Sequence, residues 1–221
     1  CFGGPDAAKH NFSELQKAIN FTMTSSLTTG GIRGGDKEIE GYEPRSFNMG
    51  ISKEAFLASG GFGNIHPGED PDLSIRLKDM GYKLCLISKA YVYHKRRISF
   101  EGFFLQVYKF GQVRPILNKW HPHSRKKSYW FPSFFTVGLL LSILLIIFDF
   151  KWGLYMYAAY FFIAFLMALK STTNIIVSVL CIPAILIQFS AYGLGFVKST
   201  LKLKLSRKPE TTLFPKLFFN S

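Results

Sequence analysis

Hydrophobic positions are spread very unevenly along this chain. Three stretches, 131–148, 152–169 and 175–197, are apolar almost throughout, broken only by Asp149 with Lys151 and by residues 170–174. The first two lie near the lower limit of about 17 residues for crossing a bilayer, and the third exceeds it. Helices buried in soluble proteins seldom come three in a row without a polar face, so all three read as membrane segments. The N-terminal half is patterned differently. Leu15, Ile19 and Met23 recur at helical spacing behind Ser13 and Glu14, which suit a helix start. Residues 46–51 read as a short strand, Ser52-Lys53-Glu54 starts a brief helix that stops at Ser59-Gly60-Gly61, and 82–87 and 90–93 are strands rich in β-formers. Between them Asp70-Pro71 predicts a helix with Asp70 as N-cap and Pro71 in the first position. Leu73, Leu77 and Met80 would share its buried face, and Gly81 would stop it. Ser99 caps an amphipathic helix with Phe100, Phe103, Phe104, Val107 and Gly111 on one side and Glu101, Lys109 and Gln112 away from it, ended by Pro115. Such a helix suits a bilayer surface or docking onto the soluble layer. The order of elements is that of an α/β or α+β layer followed by membrane helices.

Charge sharpens this division. The 221 residues carry a formal net charge of +13. Lys89, Lys95, Arg96, Arg97, Lys109, Arg114, Lys119, Arg125, Lys126 and Lys127 are opposed only by Glu101 in that interval. A basic belt could hold nucleic acid, but this one runs past Trp120 directly into the apolar region. A membrane surface is therefore the expected partner, and nucleic acid is not. Cys1, Cys85 and Cys181 are odd in number and far apart, which suggests neither a disulfide framework nor a zinc site. The chain opens at Cys1 with no initiator Met and no basic-then-apolar leader, and so reads as the C-terminal piece of a longer protein. Three spans would place the belt and the tail cations Lys198, Lys202, Lys204, Arg207 and Lys208 on opposite sides, although both favour the cytoplasm. One segment could instead be re-entrant or interfacial, with Pro183 and the Gly193/Gly195 region as the suspects.

Candidate chemistry gathers at Glu69, Asp70 and Asp72, three carboxylates within four positions at the exposed mouth of the predicted helix. Taken alone they are either an acidic cap favourable with the helix macrodipole or a general base at a cleft edge. His94, at the end of the last strand and beside Lys95, Arg96 and Arg97, is either a satisfied structural group or a ligand opposite those carboxylates. The glycine-rich run 28–35 could approach a phosphate or serve as a linker, and it lacks the spacing and Lys of a P-loop.

In order along the chain, Phe47-Asn48-Met49-Gly50-Ile51, Phe56 with Gly60-Gly61-Phe62, Gly68-Glu69-Asp70-Pro71-Asp72-Leu73 with Arg76-Leu77, Gly81-Tyr82, and Val92-Tyr93-His94 resemble the second half of the catalytic domain of family-2 glycosyltransferases. The resemblance covers roughly residues 1–118. The apolar helices after it resemble the membrane segments of members acting in polysaccharide or glycolipid synthesis. It implies a GT-A (Rossmann-like) fold and inverting transfer of a sugar from a nucleotide-diphosphate donor to a hydroxyl of a lipid-linked or saccharide acceptor. Asp70 matches the general base of that family, held ionised by the helix N-terminus. Glu69 and Asp72 would orient the acceptor or the base. The resemblance implies substrate and diphosphate binding for Asn48, Arg76, Arg96 and Arg97, and a metal-ligand role for His94.

The chain departs from that family in one large respect: the Asp-x-Asp motif that holds donor and metal is missing from its place, since Asp70-Pro71-Asp72 lies in the acceptor half. The expectation is an α/β fold, a partial GT-A domain without its nucleotide-binding first half. Residues 1–97 would be the acceptor-side half, 98–128 an amphipathic interfacial helix and basic linker, 129–198 a transmembrane region of two or three helices, and 199–221 a basic tail. The protein would be multi-pass with its catalytic part cytoplasmic. A divalent metal, Mg or Mn, would take its main ligands from the missing half, leaving this chain inactive by itself. The run from Gln106 to Arg114 resembles the Gln-x-x-Arg-Trp signature of processive synthases poorly, with other spacing and no Trp, which favours single-sugar transfer. A non-catalytic, membrane-anchored binding or assembly protein stays as the alternative.

Overall fold

The computed structural model describes residues 1–30 and 42–219; most of the glycine-rich run 28–35 lies outside them. In chain order the elements are β1 (Phe2–Gly3), β2 (Asp6–Ala7), α1 (Glu14–Thr24), α2 (Ser26–Thr29), β3 (Met49–Gly50), α3 (Lys53–Ala58), α4 (Glu69–Asp79), β4 (Cys85–Leu86), β5 (Val92–Tyr93), α5 (Phe100–Trp120), α6 (Phe131–Leu144), α7 (Trp152–Thr172), α8 (Ile175–Leu205) and α9 (Glu210–Leu213). The protein is thus mixed α/β, with small sheets and three apolar helices. β1 lies between antiparallel β3 and parallel β4, with Phe2 opposite both Gly50 and Cys85. β2 pairs in parallel with β5, placing Asp6 opposite Val92 and Ala7 opposite Tyr93.

Helix starts follow the hydroxyl caps in the sequence. Ser13 and Gln16 form a reciprocal capping box at α1, and the side chains of Ser52 and Ser99 accept from Ala55 N–H and Gly102 N–H at α3 and α5. At the end of α4, Gly81 has φ +83°, its N–H reaches the Lys78 carbonyl, and Tyr82 N–H reaches that of Leu77. This is a Schellman stop, for which the left-handed backbone favours glycine.

Several expectations are corrected. Asp70 does not cap α4: the cap position is Gly68, at φ +126°, and no side chain bonds there. Leu73 and Leu77 are fully buried as expected, but Met80 is 47% exposed because the helix has already ended. Asp72 is not at the exposed mouth; it is buried. Two positions along a helix amount to a rotation of about 200°, so Asp72 points away from Asp70 and into the protein. Pro115 does not end α5, which continues to Trp120. The bond that Pro115 cannot donate is outweighed by the burial of Ile116 and Leu117, both fully enclosed, each worth about 1.5–3 kcal/mol.

The amphipathic helix α5 lies along α8, with Phe103, Val107, Ala184 and Ala191 in one cluster. Two glycines permit this approach: a Cβ on Gly111 would run into the Tyr192 carbonyl, and one on Gly195 into that of Tyr108. Gly111→Ala is therefore expected to cost about 1–3 kcal/mol, read as a lower unfolding temperature in detergent. An unchanged melt would show the two helices free to separate. α8 also meets α1 near its start, where Ala18 and Phe21 pack with Val177 and Cys181, and α5 near its end, where Leu203 joins Val113, Ile116 and Leu117. The segments Lys127–Phe148, Trp152–Thr172 and Ile175–Leu205 are each long and apolar enough to cross a membrane.

Candidate functional site

The turn at residues 45–48 joins the predicted site residues. Asn48 N–H donates to the Arg45 carbonyl at 2.8 Å, closing the turn. From it Ser46 N–H donates to Asp70 Oδ1 at 3.0 Å, the Phe47 ring lies 4.1 Å from the His94 ring, and Asn48 Nδ2 donates to the Ala90 carbonyl at 2.8 Å. One four-residue turn thus links Asp70, Asn48 and the strand end bearing His94. Burial pushes the Asp70 carboxyl above its ordinary value of 3.8, and Glu69 adds to this, against the pull of Arg45 and the Ser46 bonds. The helix N-terminus was expected to hold Asp70 ionised; desolvation instead prevails. A raised value strengthens a carboxylate as a base.

Beside it, Glu69 Oε1 accepts from His66 Nδ1 at 3.1 Å, while Glu69 Oε2 is buried without a hydrogen-bond partner among the described residues. Asp72 belongs to a separate clasp. Its Oδ2 accepts from Arg76 Nε at 3.1 Å and Nη2 at 2.8 Å, and its Oδ1 lies 2.8 Å from His121 Nε2. Arg76 also donates to the carbonyls of Ser59 and Gly61. The clasp ties the Gly60-Gly61 turn and the end of α5 to α4, so Asp72 and Arg76 hold the acidic helix in place instead of meeting at its mouth. His121→Ala leaves one buried Asp72 oxygen unpaired and is expected to cost about 1–3 kcal/mol, measured by thermal unfolding. Stability equal to the parent would dismiss the clasp.

Arg96 is also engaged. Its Nη2 donates to Asp6 Oδ2 at 2.7 Å with both side chains only 2% exposed, its Nε to Asn20 Oδ1 at 3.2 Å, and its Nη1 lies 3.0 Å from His94 Nδ1. Its carbonyl accepts from Gln16 Nε2 at 2.9 Å. Arg97, one residue on, is exposed. His94, Lys95, Arg96, Arg97, Ile98 and Gln106 line an open pocket of about 320 Å³. The donor set at His94 does not fit a metal: Nδ1 faces a guanidinium, Asp6 Oδ2 is 3.8 Å away and already bound to Arg96, and no three His, Cys, Asp or Glu side chains converge among the described residues. The sequence reading missed Asp6, Arg45, His66 and His121. Each acquires its role from a partner distant in sequence or from a turn, and none carries a local motif.

A partly buried carboxyl with a raised pKa, one turn from a cationic pocket, suits proton abstraction near an anionic group. Comparison with known proteins supplies the class. The profile described as Glycosyl transferase family group 2 matches residues 47–191, from the turn beside Asp70 through most of α8, and the chain belongs to this family. It is also similar to the succinoglycan biosynthesis protein ExoA of Rhizobium meliloti (strain 1021), at 28% identity over 104 residues, which are 47% of this chain and 32% of that protein. The match thus spans about a third of that relative's length. No solved structure matches.

Proposed function

We propose that this chain carries the acceptor side of an inverting, GT-A type glycosyltransferase acting at a membrane. It would move a sugar from a nucleotide-diphosphate donor to a hydroxyl of a lipid-linked or saccharide acceptor. The observation that carries the reading is the 45–48 turn, which bonds Asp70 on one side and packs on His94 and its cationic pocket on the other. Asp70 takes the proton of the acceptor hydroxyl as that oxygen attacks the anomeric carbon. The bond from that carbon to the diphosphate breaks on the opposite face, and the electron pair leaves with the phosphate oxygen. Lys95 and Arg97, both exposed at the pocket, offset the charge that develops there. Arg96, occupied by Asp6, Asn20 and His94, shapes the pocket wall.

Divalent Mg or Mn belongs to this reading, with its main ligands outside the residues described; no step above depends on it. The name of the relative supports polysaccharide biosynthesis as the setting, and the apolar helices support a membrane location with the catalytic part on the cytoplasmic side, where the basic belt favours it. The Asp70→Asn variant of the full-length protein, assayed for transfer from a labelled nucleotide sugar to membrane acceptors, tests the proposal. Transfer that survives the change would return the acidic helix start to a purely structural role.

A further inference from the structure

The chain does not trail away after α8. Phe214 and Leu217, 5% and 3% exposed, insert beside Ile65, Val113, Ile116 and Leu117. Glu210 Oε1 meets Lys119 Nζ at 2.6 Å, and the Phe218 ring lies 6.1 Å from that of Trp120. The end of this segment reaches the loop that leads into the acidic helix: His66 N–H donates to the Leu217 carbonyl at 2.8 Å, and the Phe219 ring lies 5.7 Å from the His66 imidazole. That imidazole holds Glu69, the first residue of α4 and the neighbour of Asp70. A tail expected to be only a basic extension is thus bound by an ion pair to α5 and by backbone and ring to the loop that precedes the candidate base.

We infer that residues 209–219 form a strap on the catalytic side of the membrane that positions His66, and through it Glu69, beside Asp70. His66 is a positioning residue, and Phe219 acts through it. The placement also decides between topologies. Three complete crossings would carry the strap to the far side, where Leu217 could not meet His66. α6 and α7 therefore make a hairpin that leaves and returns, and α8 lies against the catalytic half, touching α1 near one end and α5 near the other. The belt at Lys119–Lys127 and the tail cations then share one side, as the positive-inside tendency asks.

The kinetic part rests on the reading of Asp70 as base; the topological part does not. In the full-length protein, a reporter fused after Ser221 is expected on the same side as one inserted in the exposed turn at His10, and a signal from the opposite side would overturn the strap outright. His66→Ala is expected to lower kcat about tenfold with the donor KM unchanged. His66→Asn, whose amide nitrogen stands close to the place of Nδ1 and can still donate to Glu69, should recover most of it. Phe219→Ala should lower kcat in the same sense, and less than additively when combined with His66→Ala. Wild-type kcat in His66→Ala, or equal loss in the Ala and Asn variants, would remove His66 from the positioning role. Retained transfer by Asp70→Asn fails the base reading instead, and leaves the reporter result to judge the strap.

Discussion

Asp70→Asn in the full-length protein is expected to reduce transfer by at least about a hundredfold while moving stability by less than about 1 kcal/mol. The asymmetry comes from what the carboxyl does. Asn retains an oxygen to accept the Ser46 N–H, so the turn stays tied to α4, but it cannot take a proton from an attacking hydroxyl. The sign of the pH effect follows from burial. Because the folded protein raises the Asp70 pKa, the protonated form is favoured, and the stability this group contributes is present below its ordinary value of 3.8 and lost as pH rises through the raised one. At neutral pH the neutral amide therefore escapes that loss. In the parent protein, the acid limb of the pH–rate profile should fall above 3.8, where an unperturbed aspartate would place it. Initial rates and thermal unfolding on the same preparations check both halves of the prediction. A variant within a few-fold of the parent rate would exclude Asp70 as the base.

Arg96→Ala should show the opposite behaviour, a large loss of stability. Removing the guanidinium leaves the Asp6 carboxylate, 2% exposed, without its closest cation, and also strips partners from Asn20 and His94. Breaking a buried pair from one side costs about 3–5 kcal/mol, which lowers the unfolding temperature by roughly 10 °C in a chain of this size. Arg97→Ala, one position along and exposed, should leave the melt within about 0.5 kcal/mol of the parent and act on donor affinity instead. If Arg96→Ala melts like the parent, the Asp6 pair is not a fastening of β2 and β5. The contrast between neighbours separates a cation used for folding from one available to a substrate.

That contrast marks the limit of what could be read from residues alone. Apolar length announced α6, α7 and α8, and serine caps announced α1, α3 and α5, because each signal is contained within one element. β1 and β2 gave no warning: two residues cannot show alternation, and their partners lie near residues 50, 85 and 92. Glu69 and Asp70 were visible as an acidic helix start, yet Asp70 was misplaced as a cap, since the Asp-Pro pattern takes no account of a preceding glycine able to adopt φ +126°. Asp72 looked equivalent to its neighbours until His121, 49 positions away, and Arg76 turned it inward. Arg96 and Arg97 were indistinguishable as letters, and Asp6, 90 positions from Arg96, is what tells them apart.

The glycine contact between α5 and α8 has a consequence for how the protein is made. The face of α5 bearing Phe103, Val107 and Gly111 fits against Tyr192 and the turn of α8 around Gly195, and these are synthesised long after α5 itself. In a nascent chain that has emerged only as far as α5, the part of that face around Gly111 that meets Tyr192 and the Gly195 turn is left uncovered. Packing of the α5 face is thus completed only once α8 has been made. A ribosome-bound intermediate stalled before α8 should remain protease-sensitive across residues that the finished protein protects.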